Sequence, residues 1–360
     1  MNFNQRGREF WNRFDSHSEN IIKIAKESPH DAFQLMQTIV HETIPDIGLE
    51  IGGEQPLEIN LSTPGNKLNA FLAVQLLKLK NNQYENVTFS PFKVRNKKYK
   101  EAGLKINDTE VSFSECRVRF NFDEERKKFI CYVYLPGFER LPENDCYNIS
   151  FLILDLALGE LWSCNYVLIE GYLTECDNSL ATIDDLAHAI EDAIADATLS
   201  PVSSLIENYS AYRFEESNDK GNYVRQDSVI GITRFSEFLM AYKEEIGGKQ
   251  NTLFERAAEL GVYPCFIYYP HNDEDIVNAR YNIEETLGEL LEGANLAHII
   301  GGETGITNSY IDLLVYDKDS ALEVLQTYFK DKKYQAYLQP YTIKGESHLL
   351  SKKKKFLGLF

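Results

Sequence analysis

No stretch of the chain approaches the 18 apolar residues that a membrane-spanning helix needs. The nearest, Ile149 to Trp162, is broken by Asp155, Gly159 and Glu160. The opening residues MNFNQRGREFWNRFD hold neither an apolar segment nor a small-residue cleavage site, so no secretory leader is expected and the expected address is the cytoplasm. Cysteine is scarce and scattered, at positions 116, 131, 146, 164, 176 and 265, with no C-x-x-C pair. That spacing argues against a structural zinc site. Cys116, Cys131 and Cys265 lie in apolar runs, where a reduced thiol serves as a small hydrophobe.

Cations are outnumbered. The 37 Lys and Arg face 55 Asp and Glu, a formal net charge of −18. This disfavours direct nucleic-acid binding, whose affinity comes from cations that release counterions. It suits either plain solubility or a basic protein partner. Signatures of catalysis are also missing: there is no G-x-S-x-G, no H-E-x-x-H, and no S-x-x-K with its companion motifs. No catalytic residue, metal ligand or cofactor is therefore assigned, although a triad is defined in space and motifs alone do not exclude one.

What is present is globular composition, with 43% hydrophobic and 26% charged residues over a length that fits two domains. Phe10, Phe14, His17, Ile21 and Ile24 predict one face of a helix over 8–27. Ser28-Pro29-His30-Asp31 has the cap, the first-turn proline and the acidic residue that open a second helix. Short strands at 48–51 and 57–61, a helix carrying Leu68 to Leu79, and a lysine-rich loop over 93–110 follow. Alternating residues over 116–135 predict a hairpin, followed by a helix near 149–162 and a strand at 166–173. The polar run 174–179 places a boundary between an N-terminal α+β domain, 1–175, and a C-terminal one, 176–345. Within the latter, 262–340 reads βαββαβ, a ferredoxin-like unit. The fold class is α+β, with mixed or antiparallel sheets and packed helices.

Five features bear on binding. Gly301-Gly302-Glu303-Thr304-Gly305-Ile306-Thr307 reads as a glycine-rich loop, in which Gly301, Gly302, Glu303, Thr304, Gly305 and Thr307 are candidate ligand contacts, or as a plain hairpin connection. It matches neither phosphate-binding glycine motif, and a strand follows where those motifs need a helix. Arg117, Arg119, Tyr132 and Tyr134, with Lys128, share the outer face of the hairpin, where they suit a partner or simply pack across the strands. Asp184, Asp185, His188, Glu191, Asp192 and Asp196 line one side of a helix over 183–198 and read as a solvated face. Lys352, Lys353, Lys354 and Lys355 precede Phe356, Leu357 and Phe360 in a basic-aromatic tail, 346–360, that suits a groove or an anionic surface, or stays free. His271 and the acids at 273–275 resemble either metal ligands or helix caps.

Phe10, Trp11 and Phe14, then Leu49-Glu50-Ile51-Gly52, then Leu57 through Gly65, resemble an uncharacterised bacterial family that opens with a Phe-Trp-x-x-Phe helix. The likeness spans about the first ninety residues, and Phe89-Ser90-Pro91-Phe92 departs from the Phe-Arg-Pro run of its members. It implies no activity and carries over no catalytic residue. The expectation from the sequence is a non-catalytic acidic binding or regulatory protein, of toxin-neutralising (immunity-type) or adaptor kind. It would be directed at a basic protein partner, with a homodimer possible. The alternative is a small-molecule sensor or enzyme that uses the segment 301–307.

Overall fold

The computed structural model describes residues 1–53, 56–63, 65–106, 109–215, 223–271 and 275–351. It opens with two helices, α1 (Phe3–Glu27) and α2 (Pro29–Thr43). Asn2 and Gln5 cap α1 reciprocally, and the Ser28 side chain caps α2 with Pro29 in its first turn. Strands β1 (Gly48–Gly52) and β2 (Leu57–Ser62), helix α3 (Lys67–Lys78) and strand β3 (Val87–Ser90) follow. They form a three-stranded sheet in which β2 pairs antiparallel with β1 and parallel with β3.

A short hairpin, β4 (Gly103–Ile106) and β5 (Thr109–Ser112), leads to the longer one, β6 (Arg117–Asp123) and β7 (Lys128–Tyr134). The apolar stretch before the next strand forms two helices, α4 (Glu143–Leu158) and α5 (Glu160–Tyr166), because Gly159 at φ 76° turns the chain between them. A Cβ there would also sit 2.8 Å from the Arg95 amide nitrogen. Strand β8 (Val167–Leu173) returns parallel to β7, and α6 (Ile183–Ala195) follows behind a Thr182–Asp185 capping box.

The remainder is built on a seven-stranded antiparallel sheet. Its members are β9 (Ser210–Arg213), β10 (Ser228–Thr233), β11 (Tyr263–Pro270), β12 (Ala297–Gly305), β13 (Asn308–Val315), β14 (Tyr337–Pro340) and β15 (His348–Leu349). Helices α7 (Ser236–Ile246) and α8 (Leu253–Glu259) precede β11, α9 (Ile276–Gly293) joins β11 to β12, and α10 (Lys318–Phe329) joins β13 to β14. The sheet order β15-β14-β11-β13-β12-β10-β9 contains the ferredoxin-like 4-1-3-2 arrangement as β14-β11-β13-β12. Strands β10 and β9 extend one side of that unit and β15 the other. This is the α+β architecture expected from the sequence.

Three cores hold these layers. One face of the seven-stranded sheet (Phe266, Ile300, Tyr310, Leu314, Tyr316) packs with Phe3, Phe10, Trp11 and Phe14 of α1 and with Phe71 and Leu76 of α3. The opposite face (Cys265, Ile267, Ile311, Leu313) packs under Leu287 and Leu291 of α9 and Leu325 and Phe329 of α10. The remaining core lies among β6–β8, α4 and α6, around Val118, Cys131, Val133, Ile153, Leu154, Leu186 and Ile190. Thus α6 shares its core with β6–β8, and the N-terminal helices share theirs with the C-terminal sheet. Trp11 is fully buried and donates its indole N–H to the Leu76 carbonyl at 2.8 Å. His17, expected on the packed face of the first helix, is exposed and its Nδ1 lies 2.8 Å from the Arg13 carbonyl.

Buried polar groups tie the cores together. Asn4 and Gln75 side-chain amides each donate to the Asn295 carbonyl at 2.8 Å, which fixes α1 and α3 to the turn before β12. Glu160, 1% exposed, accepts from Ser62 Oγ, Thr63 N and Lys93 N, and so joins the first sheet to α5. Burial pushes its carboxyl up while these bonds pull it back.

Candidate functional site

The segment expected as a glycine-rich loop is strand. Gly301 to Gly305 are the second half of β12, paired with β10 on one side and β13 on the other, and only Ile306 and Thr307 make the turn. Glycine weakens a strand unless another group must come close, and here several do. A Cβ on Gly301 would sit 2.5 Å from the Ile232 carbonyl oxygen and 3.0 Å from an Asp312 carboxylate oxygen. One on Gly302 would land on the Glu284 carboxyl of α9. Gly231, opposite on β10, leaves room for the Tyr212 hydroxyl. The glycines thus admit polar side chains against the sheet from both sides. Gly301, Gly302, Glu303 and Gly305 are buried, Thr304 is half-buried and Thr307 is exposed.

On one side lies a closed ion network. Arg225, at φ 74°, forks onto Asp312 with Nη1–Oδ1 2.5 Å and Nη2–Oδ2 2.9 Å. Its Nε and Nη2 also donate to Glu303 Oε2, at 3.2 and 3.0 Å, and Nη1 donates to the Tyr341 hydroxyl at 2.7 Å. Tyr212 donates to the same Glu303 oxygen at 2.6 Å. Phe266, Tyr310 and Tyr341 place their rings 5.1–5.4 Å from the guanidinium carbon, adding cation–π contacts. Burial alone would lower the Arg225 pKa, but Asp312 and Glu303 hold it well above its ordinary value. Glu303 is pushed up by burial against the pull of Arg225, and its Oε1 has no partner. With Arg225, Glu303 and Asp312 each at most 3% exposed, the network is a lock between the turn before β10, strands β12 and β13, and Tyr341 just after β14. Asp227 closes the turn beside it, accepting from Thr307 N and Oγ1, Asn308 N and the Tyr310 hydroxyl.

On the other side, Arg280 and Glu284 of α9 form an ion pair at 3.0 Å above Gly302. Burial lifts the Glu284 carboxyl to about 7, partly opposed by Arg280. None of Tyr212, Arg225, Asp227, Arg280, Glu284 or Asp312 was read from the sequence as a site residue. One signal was available: Asp312 sits within the apolar run Tyr310-Ile311-Asp312-Leu313-Leu314-Val315, where a carboxylate needs a cation.

The outer face of the β6–β7 hairpin carries its own partners. Arg119 and Tyr132 are cross-strand neighbours, with the guanidinium 4.9 Å from the ring centroid, and Tyr132 hydrogen-bonds Glu170. Arg117 pairs across from Tyr134 and donates to the Ser114 and Cys116 carbonyls, while Lys128 donates to the Cys164 carbonyl. Lys352 to Lys355, Phe356, Leu357 and Phe360 lie outside the described residues, as do residues 272–274 beside His271. All six cysteines are free; Cys116, Cys131, Cys146 and Cys265 are buried and Cys164 and Cys176 exposed. Among the described residues no cluster of three or more His, Cys, Asp or Glu is placed to hold a metal, and no helix is long and apolar enough to cross a membrane.

The charge is segregated. Residues 141–212 contain thirteen carboxylates and not one lysine or arginine. Ten of them (Glu143, Asp145, Glu170, Glu175, Asp177, Asp185, Glu191, Asp192, Asp196 and Glu207) are exposed on α4, β8, α6 and their connections. Among the described residues the ion pairs of this stretch are Lys100 with Asp184 and Arg95 with Glu191. On the outer side of α4, Phe151 and Leu152 are 53% and 42% exposed. No protein-family model, curated protein or solved structure matches the chain.

Proposed function

We propose that this is a non-catalytic binding protein that engages a basic protein partner through the acidic shell of the core formed by β6–β8, α4 and α6. One observation carries the reading: a cation-free stretch of 72 residues, 141–212, carries ten exposed carboxylates and, on α4, the exposed apolar side chains of Phe151 and Leu152. Carboxylates of one sign steer a basic partner and reject acidic ones. Phe151 and Leu152 supply the apolar contact area that charge alone lacks. A partner that binds nucleic acid through its own cations fits this surface, and masking such cations is how a toxin-neutralising (immunity-type) or adaptor protein would act.

The test is capture from source-cell lysate at low and high salt, followed by affinity measurement with the identified partner. Glu175→Lys with Asp192→Lys changes the shell at side chains that make no described bond. We expect these substitutions and Phe151→Ala each to weaken binding at least about tenfold. Glu285→Lys with Glu289→Lys on α9 is the control and should leave it unchanged. Equal loss from both pairs, or no salt-sensitive partner at all, overturns the reading.

A further inference from the structure

Between the core around α1 and α3 and the core around β6–β8, a pocket of about 380 Å³ opens beside the start of α3, the start of β7, α5 and the chain leading into β9. Its lining includes Thr63, Lys67, Lys128, Cys164, Asn165 and Asn208. Small-ligand sites favour such junctions, and this volume falls within their usual range of roughly 300–1,000 Å³.

The lining carries two cations, with the Glu160 carboxylate behind Thr63 and Asp155 near Cys164 as opposing charges. Lys67 is the first residue of α3, a helix with no acidic residue in its first turn, so an ammonium sits on the positive end of a helix dipole. Lys128 enters from the opposite wall and spends one N–H on the Cys164 carbonyl at 2.9 Å. Burial lowers the pKa of both lysines, with Glu237 opposing the shift only at Lys67. Among the described lining residues Glu237 is the single carboxylate, and it is exposed at the rim. A second observation is independent of charge. Thr63 is 2% exposed, its amide is taken by Glu160, and its hydroxyl oxygen has no hydrogen-bond partner. A buried hydroxyl left without a partner disfavours the fold. Thr63 lines the pocket beside two half-buried cations, and a turn of its side chain about χ1 would bring the hydroxyl to an entering acceptor. Asn165 and Asn208, hydrogen-bonded to each other, offer further amide groups on the far side.

We propose that this pocket binds a small molecule through an oxyanion, a phosphate or carboxylate group, held between Lys67 and Lys128 with Thr63 as a hydroxyl donor. The site is separate from the acidic shell and from the buried Arg225 network.

Cys164 and Cys176 are the two cysteine residues with exposed surface, and of them only Cys164 lines the pocket, so the wild-type chain carries its own reporter and its own control. The experiment is alkylation by iodoacetamide, a neutral reagent, read at each cysteine by mass spectrometry. It is run in inorganic phosphate, in succinate and in sodium chloride at matched ionic strength. Burial raises the Cys164 thiol to about 11, so the reaction is run at constant alkaline pH. We expect phosphate or succinate to slow Cys164 several-fold and saturably, with Cys176 unaffected. We also expect the protection to disappear in Lys67→Gln with Lys128→Gln. Protection by phosphate alone assigns a phosphoryl ligand, and by succinate alone a carboxylate ligand. No protection beyond chloride in the wild type overturns the proposal, whether or not the double variant folds. Protection that survives in a folded double variant overturns it as well.

Discussion

Glu284 and His298 are two buried ionisable side chains with opposite responses to pH. Burial raises the Glu284 carboxyl from 4.5 to about 7. The folded chain therefore holds a proton there that the unfolded chain has already released, and stability falls as pH rises from about 4.5 to 7. The loss is on the order of 3 kcal/mol at most. We expect Glu284→Gln to flatten this part of the profile, measured as urea midpoints across that range; an unchanged slope would remove Glu284 as its source. His298 runs the other way. Burial first, then Lys78 and Arg234, lowers its imidazole from 6.5 to about 3. Its ring lies between Lys78 Nζ at 3.0 Å and the Tyr316 hydroxyl at 2.7 Å. Stability that depends on neutral His298 is full above 6.5 and fades toward pH 3, and its NMR signal should not titrate above about pH 4.

At the scale of elements, the glycines of β12 separate two kinds of close approach. At Gly301 the obstacle is the Ile232 carbonyl, so alanine must part β12 from β10. At Gly302 it is the end of a flexible side chain, so Glu284 can swing away at the expense of its pair with Arg280. We expect Gly301→Ala to destabilise by about 2–4 kcal/mol and Gly302→Ala by about 1–2 kcal/mol. Only the second should be rescued by Glu284→Ala, and chemical denaturation of the four variants decides it. These same residues mark the limit of what patterning reveals. The βαββαβ order was legible because Tyr263 to Tyr269, the α9 leucines and Ala321 to Phe329 keep their apolar periods. The second half of β12 was not, since Gly-Gly-Glu-Thr-Gly has turn composition, and only the buried carboxylates behind it explain why strand wins. For the candidate surfaces, cross-strand pairing of Arg119 with Tyr132 follows from hairpin register and could be read directly. Arg225 meeting Asp312 spans 87 residues, and no local pattern carries it.

For the molecule as a whole, the decisive fact is that α1 and α3 cover one face of the C-terminal sheet. A chain starting at residue 200 keeps all seven described strands but loses the α1 and α3 side of that core, baring Phe235, His298 and Tyr316. We expect it to bind a hydrophobic dye and to unfold without a cooperative transition, where the full chain gives one. A cooperative, dye-silent fragment would show that the sheet stands without its N-terminal cover. Within the cover, Trp11→Ala removes a wholly buried ring and its bond to Leu76, and should destabilise the full chain by about 3–5 kcal/mol.

The same arrangement has a consequence in time. The Phe3 ring lies 5.8 Å from that of Tyr316, and the Phe3 amide donates to the Gly261 carbonyl at 2.8 Å. At roughly 5–20 residues per second, a ribosome would deliver Tyr316 some 15 to 60 seconds after Phe3. Until then the Phe3 end of α1 waits for a partner not yet made, while Trp11 and Phe14 meet Leu76, Tyr84 and Phe89 within the first ninety residues synthesised.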